Sequence, residues 1–102
     1  STHSPDQARA ASQEPGIDYI GFGPIFATPT KPDYVPIGKA DIAQVHEEVG
    51  LPIFCIGGIK RENAPEILQA GAKRLVIVSG ILQAENIPAY VRDVQTLLQS
   101  TR

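Results

Sequence analysis

Leu51-Pro52-Ile53-Phe54-Cys55-Ile56-Gly57-Gly58 is a short apolar run with no polar alternation, ended by two glycines. A run of this length without a two-residue period reads as a strand buried on both faces, the pattern of a parallel sheet covered by helices. Two other runs repeat it. Ile17-Asp18-Tyr19-Ile20-Gly21-Phe22 stops at Gly23-Pro24, and Leu75-Val76-Ile77-Val78 stops at Ser79-Gly80.

Helical signals fill the gaps. Ser4, Pro5 and Gln7 form a capping box with proline at the first helical position, predicting a helix to about Glu14 that Pro15-Gly16 stops. Ile42, Val45, His46 and Val49 recur at helical spacing, predicting a helix over Lys39 to Val49 ended by Gly50. Asn63, with Glu66 three residues on, opens a further capping-box helix closed by Gly71. The last helix spans about Ile87 to Gln99, with Ala89, Tyr90, Val94, Leu97 and Leu98 inward.

Strands alternating with helices leave two parallel architectures, the open doubly wound sheet and the (β/α)8 barrel. No Gly-x-Gly-x-x-Gly turn of the dinucleotide-binding kind follows a strand, which favours the barrel. A barrel of about 250 residues uses roughly 31 per unit. The 102 residues here hold little more than three units, so the chain reads as part of a barrel.

Composition narrows the function. A net charge of −2 with no basic stripe excludes a nucleic-acid partner. No apolar run approaches the length of a membrane span and no signal-like segment is found, so neither membrane insertion nor secretion is expected. The single Cys55 reads as a small core hydrophobe in a reducing, cytoplasmic setting.

The chemistry gathers at the ends of the three strands. The first is followed by Gly23-Pro24-Ile25-Phe26-Ala27-Thr28-Pro29-Thr30-Lys31-Pro32-Asp33, a proline-stiffened loop offering two hydroxyls and an ammonium to a phosphate or pyrophosphate. The second is followed by Gly57-Gly58, where a ligand oxygen approaches the backbone without meeting a Cβ. The third ends at Val78-Ser79-Gly80. A parallel barrel brings all three ends to one face, where its active sites form. His3 reads as a structural residue near that face and His46 as a surface or rim residue. No His, Cys or carboxylate cluster has metal-ligand spacing, and no Ser-His-Asp set is assembled.

Ser1-Thr2-His3-Ser4, Gly23 to Lys31, Ile56-Gly57-Gly58-Ile59 and Val78-Ser79 together resemble the thiamine-phosphate synthase (thiamine-phosphate pyrophosphorylase) family, in order and approximate spacing along essentially the whole chain. The resemblance implies that residues 1–102 are the C-terminal part of a TIM barrel, from the end of its fifth strand to its eighth helix. It implies an enzyme joining 4-amino-2-methyl-5-(diphosphooxymethyl)pyrimidine to thiazole phosphate, with release of pyrophosphate. Ser1 and Lys31 would contact the pyrimidine diphosphate, Lys31 being the catalytic residue aimed at the leaving pyrophosphate. Thr28, Thr30, Gly58, Val78 and Ser79 would hold the thiazole phosphate. Mg2+ is implied for the whole family enzyme, but its aspartates and the other pyrimidine contacts come from earlier strands. Asp33 and Asp41 do not match them, so this chain is expected to hold no metal and to turn over little by itself. Its expected partners are its small-molecule phosphate substrates and either a missing N-terminal half-barrel or a second copy. A thiazole tautomerase and a non-catalytic phosphate-binding half-barrel are the alternatives.

Overall fold

The computed structural model describes residues 1–27 and 35–100. Its elements are α1 (Pro5–Ser12), β1 (Ile20–Phe22), α2 (Ile42–Glu48), β2 (Ile53–Cys55), α3 (Ala64–Gln69), α4 (Ser79–Leu82) and α5 (Ile87–Ser100). β1 and β2 pair in parallel, with Ile20 opposite Ile53 and Phe22 opposite Cys55. Single parallel bridges extend the pairing on both sides, Thr2 to Phe22 and Cys55 to Leu75. Four parallel segments therefore stand side by side in chain order, and a helix lies in each connection.

The third predicted strand is the main correction. Leu75 to Val78 makes one bridge, flanked by Cys55 N–H to Arg74 O at 3.0 Å and Val76 N–H to Cys55 O at 2.8 Å. After Val76 the chain leaves the ladder, and Ser79 begins α4 instead of ending a strand. Among the described residues no further strand lies on the outer side of this segment, so its remaining backbone groups gain nothing by staying extended.

The sheet is also buried on one face, not two. Ile20, Phe22, Ile53 and Cys55 point towards the helices and join Ala8, Ile42, Val45, Val49, Ile67 and Leu68 in one core. Each large side chain so buried contributes about 1.5–3 kcal/mol. Gly21, Phe54 and Ile56 lie on the opposite face. There Tyr19, 63% exposed, meets Phe54 edge to face with ring centroids 5.2 Å apart. The Arg74 guanidinium stands 6.0 Å from the Phe54 centroid.

The helix starts follow the sequence with amendments, α2 beginning at Ile42 and not at Lys39. Ser4 Oγ accepts from Gln7 N–H at 3.1 Å, as a cap should, but Gln7 Oε1 takes the His3 N–H at 2.8 Å. Asn63 precedes α3 without capping it, since its side chain is engaged in the preceding turn. Asn86 caps α5 instead, accepting from Ala89 N–H at 3.1 Å. Arg9 ties α1 to α2 through an exposed ion pair with Glu48.

Candidate functional site

The loop after β1 and the loop after β2 are joined backbone to backbone. Ile25 N–H donates to Ile56 O, and Phe26 N–H to Gly57 O, both at 3.0 Å. Such contact leaves no room for side chains. A Cβ on Gly57 would lie 2.6 Å from Pro24 Cα, and one on Gly58 would lie 2.8 Å from Ala27 O. Both also have positive φ, +106° and +66°, which glycine alone adopts without strain. The returning limb of the first loop is anchored at the same place, by Ile37 N–H to Pro24 O at 2.7 Å and Gly38 N–H to Ile25 O at 3.1 Å. Thr28, Thr30, Lys31 and Asp33 lie outside the described residues.

Asn63 shapes the Gly57-Gly58 turn from behind. Its Nδ2 donates to Gly58 O at 3.0 Å, and its Oδ1 accepts from Lys60 N–H at 2.8 Å. The turn is thus held by one amide across five residues, while no described residue accepts a bond from the Gly57 or Gly58 N–H. Among the residues in question here, Asn63 was legible only as a helix cap. The same turn reaches α5 through Arg61, whose N–H donates to Tyr90 Oη at 2.7 Å.

Val78 is 59% exposed and precedes α4, and Ser79 is its first residue. Gly80 packs against the phenol end of Tyr90, where a Cβ would stand 2.5 Å from Oη. A groove of about 480 Å³ opens beside these contacts, lined by Lys60, Arg61, Gln83, Glu85, Asn86 and Tyr90 among others.

Ser1 is exposed at the start of the first segment. The neighbouring Thr2 is buried, and its N–H and Oγ1 both donate to Gly21 O, at 2.8 and 2.6 Å. His3 has the structural place expected of it, its Nδ1 being 2.6 Å from Gly23 O. His46 is half-buried, as a rim residue is, but one of its ring nitrogens is enclosed. Its Nε2 is buried without a hydrogen-bond partner among the described residues. Burial first, then the positive charges of Lys73 and Arg74, hold its pKa below the ordinary value. Cys55 is a core residue whose thiol burial pushes up to about 11, so it carries no nucleophile at neutral pH. Among the described residues no three His, Cys, Asp or Glu side chains gather where a metal ion would bind.

A family model described as thiamine monophosphate synthase matches residues 1–81. The chain belongs to that family. It is 48% identical over 99 residues to a thiamine-phosphate synthase of Pelotomaculum thermopropionicum, covering 96% of this chain and 45% of that protein. A thiamine-phosphate synthase of Chloroflexus aurantiacus is 39% identical over 103 residues, covering 100% of this chain and 47% of that one. Among solved structures, thiamine phosphate pyrophosphorylase from Pyrococcus furiosus is similar with a TM-score of 0.85 and 28% identity, covering 98% of this chain and 47% of that one. The chain therefore spans under half the length of these family members. The α/β fold with parallel strands is common to it and the solved relative.

Proposed function

We propose that the polypeptide bearing this chain is a cytoplasmic thiamine-phosphate synthase, joining 4-amino-2-methyl-5-(diphosphooxymethyl)pyrimidine to thiazole phosphate and releasing pyrophosphate. One observation carries the reading: the family match extends over the three loops that follow parallel segments, and two of those loops are locked together at Gly57 and Gly58. In this reading the C–O bond to pyrophosphate breaks first, and the thiazole nitrogen captures the pyrimidine-methyl cation. Lys31, with Ser1, binds the pyrimidine diphosphate, and the Lys31 ammonium stabilises the charge that develops on the leaving group. Thr28, Thr30, the backbone of Gly58, and Val78-Ser79 hold the thiazole phosphate and so align the nucleophile. The N–H groups of the Gly57-Gly58 turn, which bond to no described residue, support the phosphate role.

The chain is the C-terminal part of a (β/α)8 barrel in this proposal. The uncovered sheet face with Tyr19, Phe54 and Ile56 is the face that the rest of the barrel, or a second copy, encloses. Among the described residues no three His, Cys, Asp or Glu side chains gather, and in this reading the Mg2+ of the whole enzyme has its ligands on other strands.

The test is an assay with both substrates and magnesium. The full-length protein is expected to release pyrophosphate in step with thiamine phosphate, and the 102-residue chain to give little product. Isomerisation of the thiazole phosphate without pyrophosphate release would replace the synthase with a tautomerase. Binding of phosphate with neither reaction would leave a non-catalytic module.

A further inference from the structure

We infer that Tyr90 is a positioning residue that couples the Gly57-Gly58 turn to the turn of chain at Val78-Ser79-Gly80 that opens α4, so that the two move as one unit. This rests on the proposed phosphate role of Gly58 and Ser79. Tyr90 is 5% exposed on α5, a helix remote in sequence from the Gly57-Gly58 turn and following soon after Gly80. Its hydroxyl meets the chain just beyond the first and the last residue of the second. On one side it accepts from Arg61 N–H at 2.7 Å, three residues after Gly58. On the other it lies so close to Gly80 that a single added Cβ would stand 2.5 Å away.

Arg61 is fastened to α5 by more than this bond. Its guanidinium stacks 4.6 Å from the centroid of the Tyr90 ring and pairs with Asp93 at 2.9 Å. Tyr90 and Asp93 are three residues apart and share a helix face. The turn after β2 is thus tied to α5 at Arg61 and braced internally by Asn63, with Gly58 between β2 and these restraints. Gly80 has no positive φ, so its lack of a side chain is not a backbone requirement. What it permits is the seat of the Tyr90 hydroxyl.

A rigid pair of turns presents its donors at a fixed spacing, and an anion bridging both then binds without ordering either. Loss of the hydroxyl leaves the ring, the stacking and the core in place but releases one turn from the other. The effect should appear in anion affinity more than in folding.

Titration of the isotope-labelled full-length protein with inorganic phosphate, following the amide signals of Gly58 and Ser79, tests this. In the unmodified protein both amides are expected to respond with one dissociation constant. Tyr90→Phe should weaken binding roughly three- to tenfold, the range of one lost hydrogen bond. Gly80→Ala should do the same by displacing the hydroxyl, yet add little in the Tyr90→Phe background, where the close atom is gone. Phosphate affinity unchanged in Tyr90→Phe, or fully additive losses in the double variant, would overturn the coupling and leave the phosphate reading intact. No response of either amide in the unmodified protein would overturn the phosphate reading and the coupling with it.

Discussion

Gly57→Ala is the substitution that most directly measures how the two loops are joined. Gly57 has φ +106°, and its added Cβ would meet Pro24 Cα at 2.6 Å and Ile25 N at 3.0 Å. Gly16→Ala is the control, since Gly16 has φ +83° with nothing within 4 Å of the added carbon. Both variants carry the cost of a positive φ in a residue with a side chain, about 1–3 kcal/mol. Only Gly57→Ala must also push the first loop away. Its backbone contacts at fault are Ile25 N–H to Ile56 O and Phe26 N–H to Gly57 O, each contributing about 1 kcal/mol net. The expected excess of Gly57→Ala over Gly16→Ala is therefore about 2–3 kcal/mol, or roughly 10–20 °C in a domain of this size. Thermal unfolding followed by far-UV circular dichroism gives both midpoints. Equal midpoints for the two variants would refute the backbone-to-backbone joint and leave only a conformational preference at Gly57.

Two further outcomes test titratable groups, His46 first and then Cys55. The unfolded chain protonates His46 near 6.5, above the folded value, so the histidine's contribution is complete above that pH and is lost as pH falls through its lower folded value. Urea midpoints should fall from pH 7.5 towards pH 5 in the native sequence, and His46→Leu should flatten that fall. An unchanged slope in the variant would refute the assignment. Glu48, held low chiefly by its hydrogen bond from Arg9, loses its contribution only at still lower pH, so the two windows separate. The Cys55 thiol, fully buried and pushed up to about 11, should resist a disulfide reagent at pH 8 and react in full only in denaturant. Stoichiometric labelling of the native protein would contradict its place in the core.

How much of this was legible in the sequence depended on the range of the forces involved. The α1 cap, the apolar seam through Val45 and Val49, and the inward Tyr90 and Val94 follow from local spacing, and the structure has them where spacing puts them. Apolar content said nothing about what covers the second face of the sheet, so Tyr19 and Ile56 were read as more enclosed than they are. Leu75 to Val78 has strand composition but too few partners to stay in a ladder. At the site, Gly57 and Gly58 were legible as glycines needed for close approach; that the approaching atoms include Pro24 and Ala27 was not. Asn63 looked like a cap because a cap and a turn clamp use the same amide at nearly the same offset. The link from Arg61 to Tyr90 has no local signature at all, since it joins residues far apart in sequence through a backbone N–H.

The pairing of each parallel segment with its immediate predecessor in the chain bears on how the protein is made. When β1 emerges from the ribosome, Thr2 is already waiting; when β2 emerges, β1 is; and Leu75 finds Cys55. Among the described residues every pairing is between consecutive segments, so each one closes a short stretch of chain as soon as its second member has been translated. The sheet can be laid down at the pace of synthesis, one crossover at a time.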